Sequence, residues 1–354
     1  MDFNLNSLVR ENIKKLVPYS SARDEFSGEA KVFLDANENS LGSPLTKWYN
    51  RYPDPHQQKL KAAISMVKGI LPEHIFIGNG SDECIDLLYR CFCNPGKDNV
   101  IICPPTYGMY EVSANINDVE IRKAPLLETF QLDLIHLETL VDKHTKLIWI
   151  CSPNNPTGNS LNRTDIETVL NNFNGIVVID EAYINFSKQK SFIQELVDYP
   201  NLVVMQTFSK AWGLAGLRLG MAFASTEIIS VLNKVKPPYN INEATQELAL
   251  KALEEVGQVN DMIKELVDMR DALMDVFEQI PTVEKVYTSD ANFILVKIKD
   301  ARKVYEFLLT KGIVVRDRSN VKLCSDCLRI TIGTEKENTE LVDAIAGWLQ
   351  LKTA

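Results

Sequence analysis

Lys210 stands in the segment Thr207-Phe208-Ser209-Lys210-Ala211-Trp212-Gly213-Leu214-Ala215-Gly216-Leu217-Arg218-Leu219-Gly220, directly after the apolar run Leu202 to Gln206. A lysine at the mouth of a sheet, in a partly desolvated pocket, gives up its proton easily and becomes an amine nucleophile able to form a Schiff base. The glycines around Lys210 and Arg218 let backbone and ligand approach closely, and the hydroxyls of Thr207 and Ser209 with the Arg218 guanidinium form an anion cradle. An isolated lysine in a loop reads as a solvated one, so its company decides.

That company comes from other strand ends. Gly175-Ile176-Val177-Val178-Ile179-Asp180-Glu181-Ala182-Tyr183 is a buried strand ending in an acid, which puts Asp180 at the edge where Lys210 lies. A carboxylate there can hold the protonated nitrogen of a pyridine-type ring and keep it an electron sink; alone, Asp180 reads equally well as a helix N-cap. Ile75-Phe76-Ile77-Gly78-Asn79-Gly80-Ser81-Asp82-Glu83 runs from a strand through a glycine turn into a helix, offering free N–H groups and a positive dipole end to a phosphate. Glu83 stands where a dinucleotide fingerprint has its third glycine, so a single phosphate fits better than a pyrophosphate. Cys151-Ser152-Pro153-Asn154-Asn155-Pro156-Thr157-Gly158 leaves Asn155 as a donor at a strand end, and Pro104-Pro105-Thr106-Tyr107 offers a ring that can stack on a planar group. Singly these are turns; together, five strand ends send phosphate binders, a stacking ring, an amide, an acid and a lysine to one edge.

The elements that must position them follow from patterning. His74 to Ile77, Asn99 to Cys103, Lys146 to Cys151, Ile176 to Ile179, Leu202 to Gln206 and Leu219 to Phe223 read as strands buried on both faces. Helical patterns such as Asp82 to Cys93 and Arg163 to Asn171 lie between them, the alternation of a mainly parallel sheet covered by helices. After Pro238 the pattern becomes a long helical stretch, Glu243 to Gln279, then strand-like Asn292 to Ile298, helical Ala301 to Lys311, strand-like Ile313 to Arg316 and Leu328 to Ile332, and a last helix from Glu335. The expected organisation is an α/β fold in three parts. Residues 1–44 form an N-terminal arm and part of a small domain, 45–260 a large α/β domain, and 261–354 a small α+β domain.

Composition excludes several classes. The 354 residues carry a net charge of -9, so no broad basic face is available for a nucleic-acid backbone. No apolar run approaches 18 residues and the start lacks a signal-peptide pattern, so neither a membrane nor export is expected, and the protein is expected in the cytoplasm. Seven cysteines, an odd and scattered set, read as reduced thiols. Cys324 and Cys327 have CxxC spacing, but Cys91 and Cys93 are their only tight companions and no metal site is expected.

With these residues in place, the chain resembles the fold-type I pyridoxal-phosphate (PLP) aminotransferases of the aspartate aminotransferase superfamily over nearly its whole length. The motifs come in the family's order: Gly80-Ser81-Asp82, Tyr107, Asn154-Asn155-Pro156-Thr157-Gly158, Asp180 with Tyr183, Ser209-Lys210, Arg218, and Arg329 in Leu328-Arg329-Ile330-Thr331-Ile332-Gly333. The resemblance implies that Lys210 holds the cofactor as a Schiff base and later moves a proton, that Asp180 pairs with the pyridine nitrogen, that Asn155 and Tyr183 contact the ring hydroxyl, and that Tyr107 stacks on the ring. It places the phosphate cup at Gly80, Ser81, Asp82, Thr207, Ser209 and Arg218, and gives Arg329 the substrate carboxylate, which a guanidinium grips bidentately.

Within the superfamily the chain looks most like the branch that acts on histidinol phosphate. Arg10-Glu11-Asn12-Ile13, Pro18-Tyr19-Ser20-Ser21-Ala22-Arg23, Leu34-Asp35-Ala36-Asn37-Glu38-Asn39, Arg51-Tyr52-Pro53-Asp54-Pro55 and Val315-Arg316-Asp317-Arg318 carry this likeness, although Ser40-Leu41 stands where that branch often has a proline. The likeness implies a homodimer in which Tyr52 reaches the neighbouring subunit's cofactor phosphate. Tyr19, Asn37 and Arg316 would hold the amino donor, Arg316 being the candidate for its phosphate, and glutamate and 2-oxoglutarate would be the other substrate pair. The competing readings are an aromatic amino-acid aminotransferase, a threonine-phosphate decarboxylase and a non-catalytic ligand-binding homologue. The last would be expected to lack the lysine or the acid.

Overall fold

A computed structural model of the chain describes residues 3–21, 31–45, 47 and 49–353; Ala22 and Arg23 of the N-terminal motif lie outside the described residues. The chain builds one seven-stranded and one four-stranded sheet. The larger contains β1 (Ile75–Asn79), β2 (Asn99–Ile102), β3 (Glu120–Lys123), β4 (Thr145–Cys151), β5 (Ile176–Asp180), β6 (Leu202–Thr207) and β7 (Leu219–Ala224), in the order β1-β7-β6-β5-β4-β2-β3. All neighbours run parallel except β7, which is antiparallel to both β1 and β6. Because β7 runs the other way, its beginning at Arg218 lies at the edge where the other strands end.

Strand periodicity explains the core. Successive side chains point to opposite faces, so Ile75, Ile77, Ile148, Ile150, Val177, Ile179 and Val204 pack into one apolar layer. Their alternates Phe76, Leu147, Trp149, Ile176, Val178, Val203 and Met205 pack into the other. Helices Gln58–Lys68 and Arg163–Asn172 contribute Leu60, Ile64, Ile166 and Leu170 to the first layer, and helices Ser81–Phe92 and Thr226–Val235 bury Ile85, Leu88, Ile228 and Leu232 in the second. A sheet covered on both faces needs apolar residues at every position, which is why these strands read as continuous hydrophobic runs.

The smaller sheet contains β8 (Val283–Val286), β9 (Phe293–Ile298), β10 (Arg316–Asp317) and β11 (Cys327–Thr331), in the antiparallel order β10-β11-β9-β8. One face carries Ile294, Val296, Leu328 and Ile330 into a core with helices Ala301–Thr310 and Glu335–Thr353. The other face turns Phe293, Leu295 and Cys327 into the first layer of the large sheet. That packing brings β10 and β11 over the strand ends of the large sheet.

Three features depart from the sequence expectation. The stretch Glu243 to Gln279 is two helices, Glu243–Glu254 and Val256–Glu278, separated at Glu255. The strand expected over Ile313 to Arg316 is only Arg316–Asp317. β3 and β8 carry no apolar run, because Glu120-Ile121-Arg122-Lys123 and Val283-Glu284-Lys285-Val286 are edge strands with no fully buried residue.

Candidate active site

At the carboxyl edge of the large sheet a cavity of about 570 Å³ is lined by Ser81, Asp82, Tyr107, Asn155, Asp180, Tyr183, Thr207, Ser209, Lys210, Arg218, Arg316 and Arg329, with Thr106 and Arg318 also in its wall. Most of these residues follow the carboxyl ends of strands of the large sheet, as expected for ligand sites in open α/β sheets, Arg218 precedes the reversed β7, and Arg316 and Arg329 come from β10 and β11 of the small sheet. Tyr52 and Asn37 lie elsewhere, in a second cleft with Tyr239, where the Tyr52 and Tyr239 rings stack at 4.5 Å. Tyr19 is 75% exposed and borders neither cavity.

Lys210 projects its Nζ over the Tyr183 ring, 5.6 Å from the ring centre. Its pKa is lowered, chiefly by desolvation in the cavity wall and next by the Arg329 charge, with Asp180 opposing. The amine is therefore easier to deprotonate than an ordinary lysine, as a nucleophile requires. Asp180 ends β5, is 3% exposed, and accepts a 2.6 Å hydrogen bond from the Tyr110 hydroxyl on Oδ2 and a 3.0 Å bond from the Ala182 N–H on Oδ1. Burial raises its pKa, and the Tyr110 hydrogen bond pulls the other way.

Tyr110 was not singled out by the sequence reading. It begins the helix Met109–Ile116, three residues after Tyr107, so a helical reading of that turn is the signal that finds it. Its ring stacks on Trp149 at 4.8 Å, Trp149 stacks on Tyr89 at 5.5 Å, and the Tyr89 hydroxyl donates to the Tyr110 carbonyl at 2.8 Å. This rigid stack fixes the hydroxyl that fixes Asp180.

On the other side of the cavity Asn155 joins two groups: its Nδ2 donates to the Tyr183 hydroxyl at 3.3 Å, and its Oδ1 accepts from Arg329 Nη1 at 2.5 Å. Arg329 also lies 5.3 Å from the centre of the Phe293 ring. The Tyr183 ring meets Phe293 edge-on at 5.2 Å. The large and small sheets thus meet at the site through an amide and two aromatic rings.

The residues fit a phosphorylated pyridine. Gly80 caps the helix Ser81–Phe92 with φ 78° and no side-chain cap, leaving first-turn N–H groups unsatisfied by a side chain. A Cβ on Gly80 would come within 2.7 Å of Arg218 Nη2, and one on Gly220 within 2.2 Å of the Ser81 N, so these glycines keep the cradle open. The Thr207 hydroxyl hydrogen-bonds Ser209 Oγ at 3.0 Å, and Arg218 reaches Asp82 Oδ2 at 3.3 Å. Asp82 can serve a phosphate only through its backbone, since its carboxylate takes Arg218 and the Tyr107 hydroxyl, the latter at 3.2 Å. The Thr106 hydroxyl, buried in the wall without a partner among the described residues, is a further group for a ligand to satisfy.

Comparison with known proteins gives a consistent picture. Residues 31–345 match the family described as aminotransferase class I and II. The chain is 55% identical over 345 residues, 98% of its length and 99% of the other, to the histidinol-phosphate aminotransferase of Cytophaga hutchinsonii. The crystal structure of the histidinol-phosphate aminotransferase from Clostridium acetobutylicum superimposes with a TM-score of 0.78 at 26% identity, covering 84% of this chain and 90% of that one. The Sinorhizobium meliloti histidinol-phosphate aminotransferase in complex with pyridoxal-5'-phosphate shares the fold, with a TM-score of 0.76 at 23% identity over 83% of this chain and 81% of that one.

Proposed function

This chain belongs to the class I and II aminotransferases, and on that premise we propose that it exchanges an amino group between L-histidinol phosphate and 2-oxoglutarate, giving imidazole-acetol phosphate and L-glutamate, with PLP as cofactor. The observation that carries the choice of donor is the 55% identity, end to end, with a histidinol-phosphate aminotransferase. When bound, the cofactor supplies an electron-withdrawing ring that stabilises the carbanion left at the donor's Cα and stores the amino group between half-reactions.

The side chains divide the work. Lys210 Nζ holds the cofactor and then takes the proton from the donor's Cα, a role supported by its lowered pKa and its place in the cavity. Asp180 keeps a proton on the ring nitrogen, and the Asn155–Tyr183 pair faces the ring hydroxyl. Tyr107 covers the ring, while the N–H groups of Ser81 and Asp82, the hydroxyls of Thr207 and Ser209, and Arg218 hold the phosphate at the opening beside Gly80. Arg329 takes the carboxylate of glutamate, and Arg316 lies where the phosphate of the amino donor would reach. Tyr19 and Asn37, which lie outside their own chain's cavity, would help to hold the donor from the N-terminal arm.

A homodimer in the cytoplasm belongs to the same reading. Support comes from Tyr52, which lies outside its own chain's cavity, and from the exposed Val17, Tyr19, Leu34 and Leu41 of the N-terminal arm, apolar surface suited to a partner subunit. The division into residues 1–44, 45–260 and 261–354 remains our proposal for how the chain is organised. The described helices include none long and apolar enough to cross a membrane.

Purified protein given 2-oxoglutarate should form glutamate in proportion to added histidinol phosphate. Glutamate formed only when phenylalanine replaces histidinol phosphate would move the enzyme to the aromatic class.

A further inference from the structure

Arg316 and Arg329 face each other directly across β10 and β11. Strand alternation puts Arg318 on the same face as Arg316, and the ladder continues to it, since the Arg318 N–H donates to the Cys327 carbonyl at 2.8 Å. All three guanidinium groups line the cavity that holds Lys210. Like charges placed so close on one sheet face are destabilising unless something negative joins them.

Among the described residues no such group is supplied. Asp317, between Arg316 and Arg318, points the other way and is held by Arg302 at 3.1 Å and the Ser319 N–H at 2.9 Å. The acids of the cavity wall are engaged at its far end, Asp82 with Arg218 and Asp180 with Tyr110. None of the three arginines forms an ion pair among the described residues, and Arg318 Nε is buried with no hydrogen-bond partner there. Burial and the Arg316 charge both make the Arg318 cation less comfortable, as burial and the Arg318 charge do for Arg329.

Arg318 and Arg316 differ in one respect. Arg316 is exposed, whereas Arg318 is half-buried, so the charge of Arg318 is less screened by water. A phosphate presents more charge and one more oxygen than a carboxylate, and one bidentate guanidinium does not satisfy it.

We propose that Arg318, set just past β10 beside Arg316 on the face that meets Arg329, is the residue that selects the dianionic phosphate carried next to the amino carbon of the donor, where glutamate carries its α-carboxylate. The inference rests on the reading of the donor as a phosphorylated amine, and it adds a specificity determinant to that reading. The Arg316–Arg318 pair then takes the phosphate of the amino donor, and Arg329 takes the carboxylate of glutamate in the other half-reaction.

The test compares the wild-type holoenzyme with Arg318→Gln and Arg318→Lys, using histidinol phosphate and unphosphorylated histidinol as donors. The preference for the phosphorylated donor, as a ratio of kcat/KM values, should fall roughly ten- to hundred-fold in Arg318→Gln, the loss expected of a charged hydrogen bond, and recover in part in Arg318→Lys. A ratio kept at the wild-type value, whether both activities drop or neither does, overturns the proposal. Calorimetric titration of each holoenzyme with inorganic phosphate separates this from the donor assignment: weaker binding by Arg318→Gln supports the anion site, and unchanged binding overturns it. Wild-type enzyme with no preference for histidinol phosphate would instead refute the donor assignment, leaving the phosphate titration to judge Arg318.

Discussion

At the scale of residues, the chemistry depends on a buried acid and a cavity-wall lysine whose charges are set by their surroundings. Lys210 is pushed toward its neutral form by desolvation and Arg329. Replacing it with Ala removes the nucleophile and the proton carrier together, so turnover should be lost by several orders of magnitude, and borohydride should no longer fix cofactor to the protein. Steady transamination by Lys210→Ala would contradict this role. Asp180 depends on Tyr110, whose hydroxyl lowers a pKa that burial raises. In Tyr110→Phe the lowering influence disappears, the carboxyl stays protonated to higher pH, and the acid limb of the kcat/KM profile should move upward as kcat drops roughly ten-fold. A uniform loss of rate with an unmoved limb would mean that Tyr110 only packs. Lys210 and Asp180 could be singled out because one follows and the other ends a buried strand, and Arg329 because the segment Leu328-Arg329-Ile330-Thr331-Ile332-Gly333 carries the family likeness. Tyr110 and Arg318 were not, because their roles pass through a hydrogen bond and a cross-strand register that spacing alone does not display.

At the scale of elements, the site depends on β7 running against its neighbours. This reversal pairs Gly220 with Gly78 and seats β7 against the start of the helix Ser81–Phe92, the proposed phosphate site. Gly220→Ala would force a methyl against the Ser81 N, an overpacking expected to cost about 1–3 kcal/mol. The cofactor should also be held less tightly, which melting curves with and without added PLP will report; an unchanged shift on cofactor addition would show that the cup lies elsewhere. The buried strands were readable in advance because both faces are covered. The edge strands were not, since Glu120-Ile121-Arg122-Lys123 follows neither an apolar run nor a strict alternation. The break at Glu255 was also hidden, because it interrupts helical periodicity without a proline or a glycine at that position.

At the scale of the whole molecule, the four-stranded sheet carries Arg316, Arg318 and Arg329 to a cavity whose lysine, acid and phosphate cup come from the larger one. On the proposed reading, substrate anions and cofactor would meet where the two sheets meet. On the reading of a homodimer, Tyr52, in its separate cleft, would reach the cavity of a second subunit. Subunit exchange between Tyr52→Ala and Lys210→Ala enzymes should produce mixed dimers with one native site, and activity should rise above that of either variant. No gain after exchange would remove Tyr52 from the partner's site. The most direct test of the whole account is a single half-reaction. Holoenzyme is mixed in turn with histidinol phosphate, phenylalanine and threonine phosphate, and the cofactor's visible absorbance is followed. Conversion to the amino form should be fastest with histidinol phosphate; faster conversion with phenylalanine, or release of carbon dioxide from threonine phosphate, would contradict it.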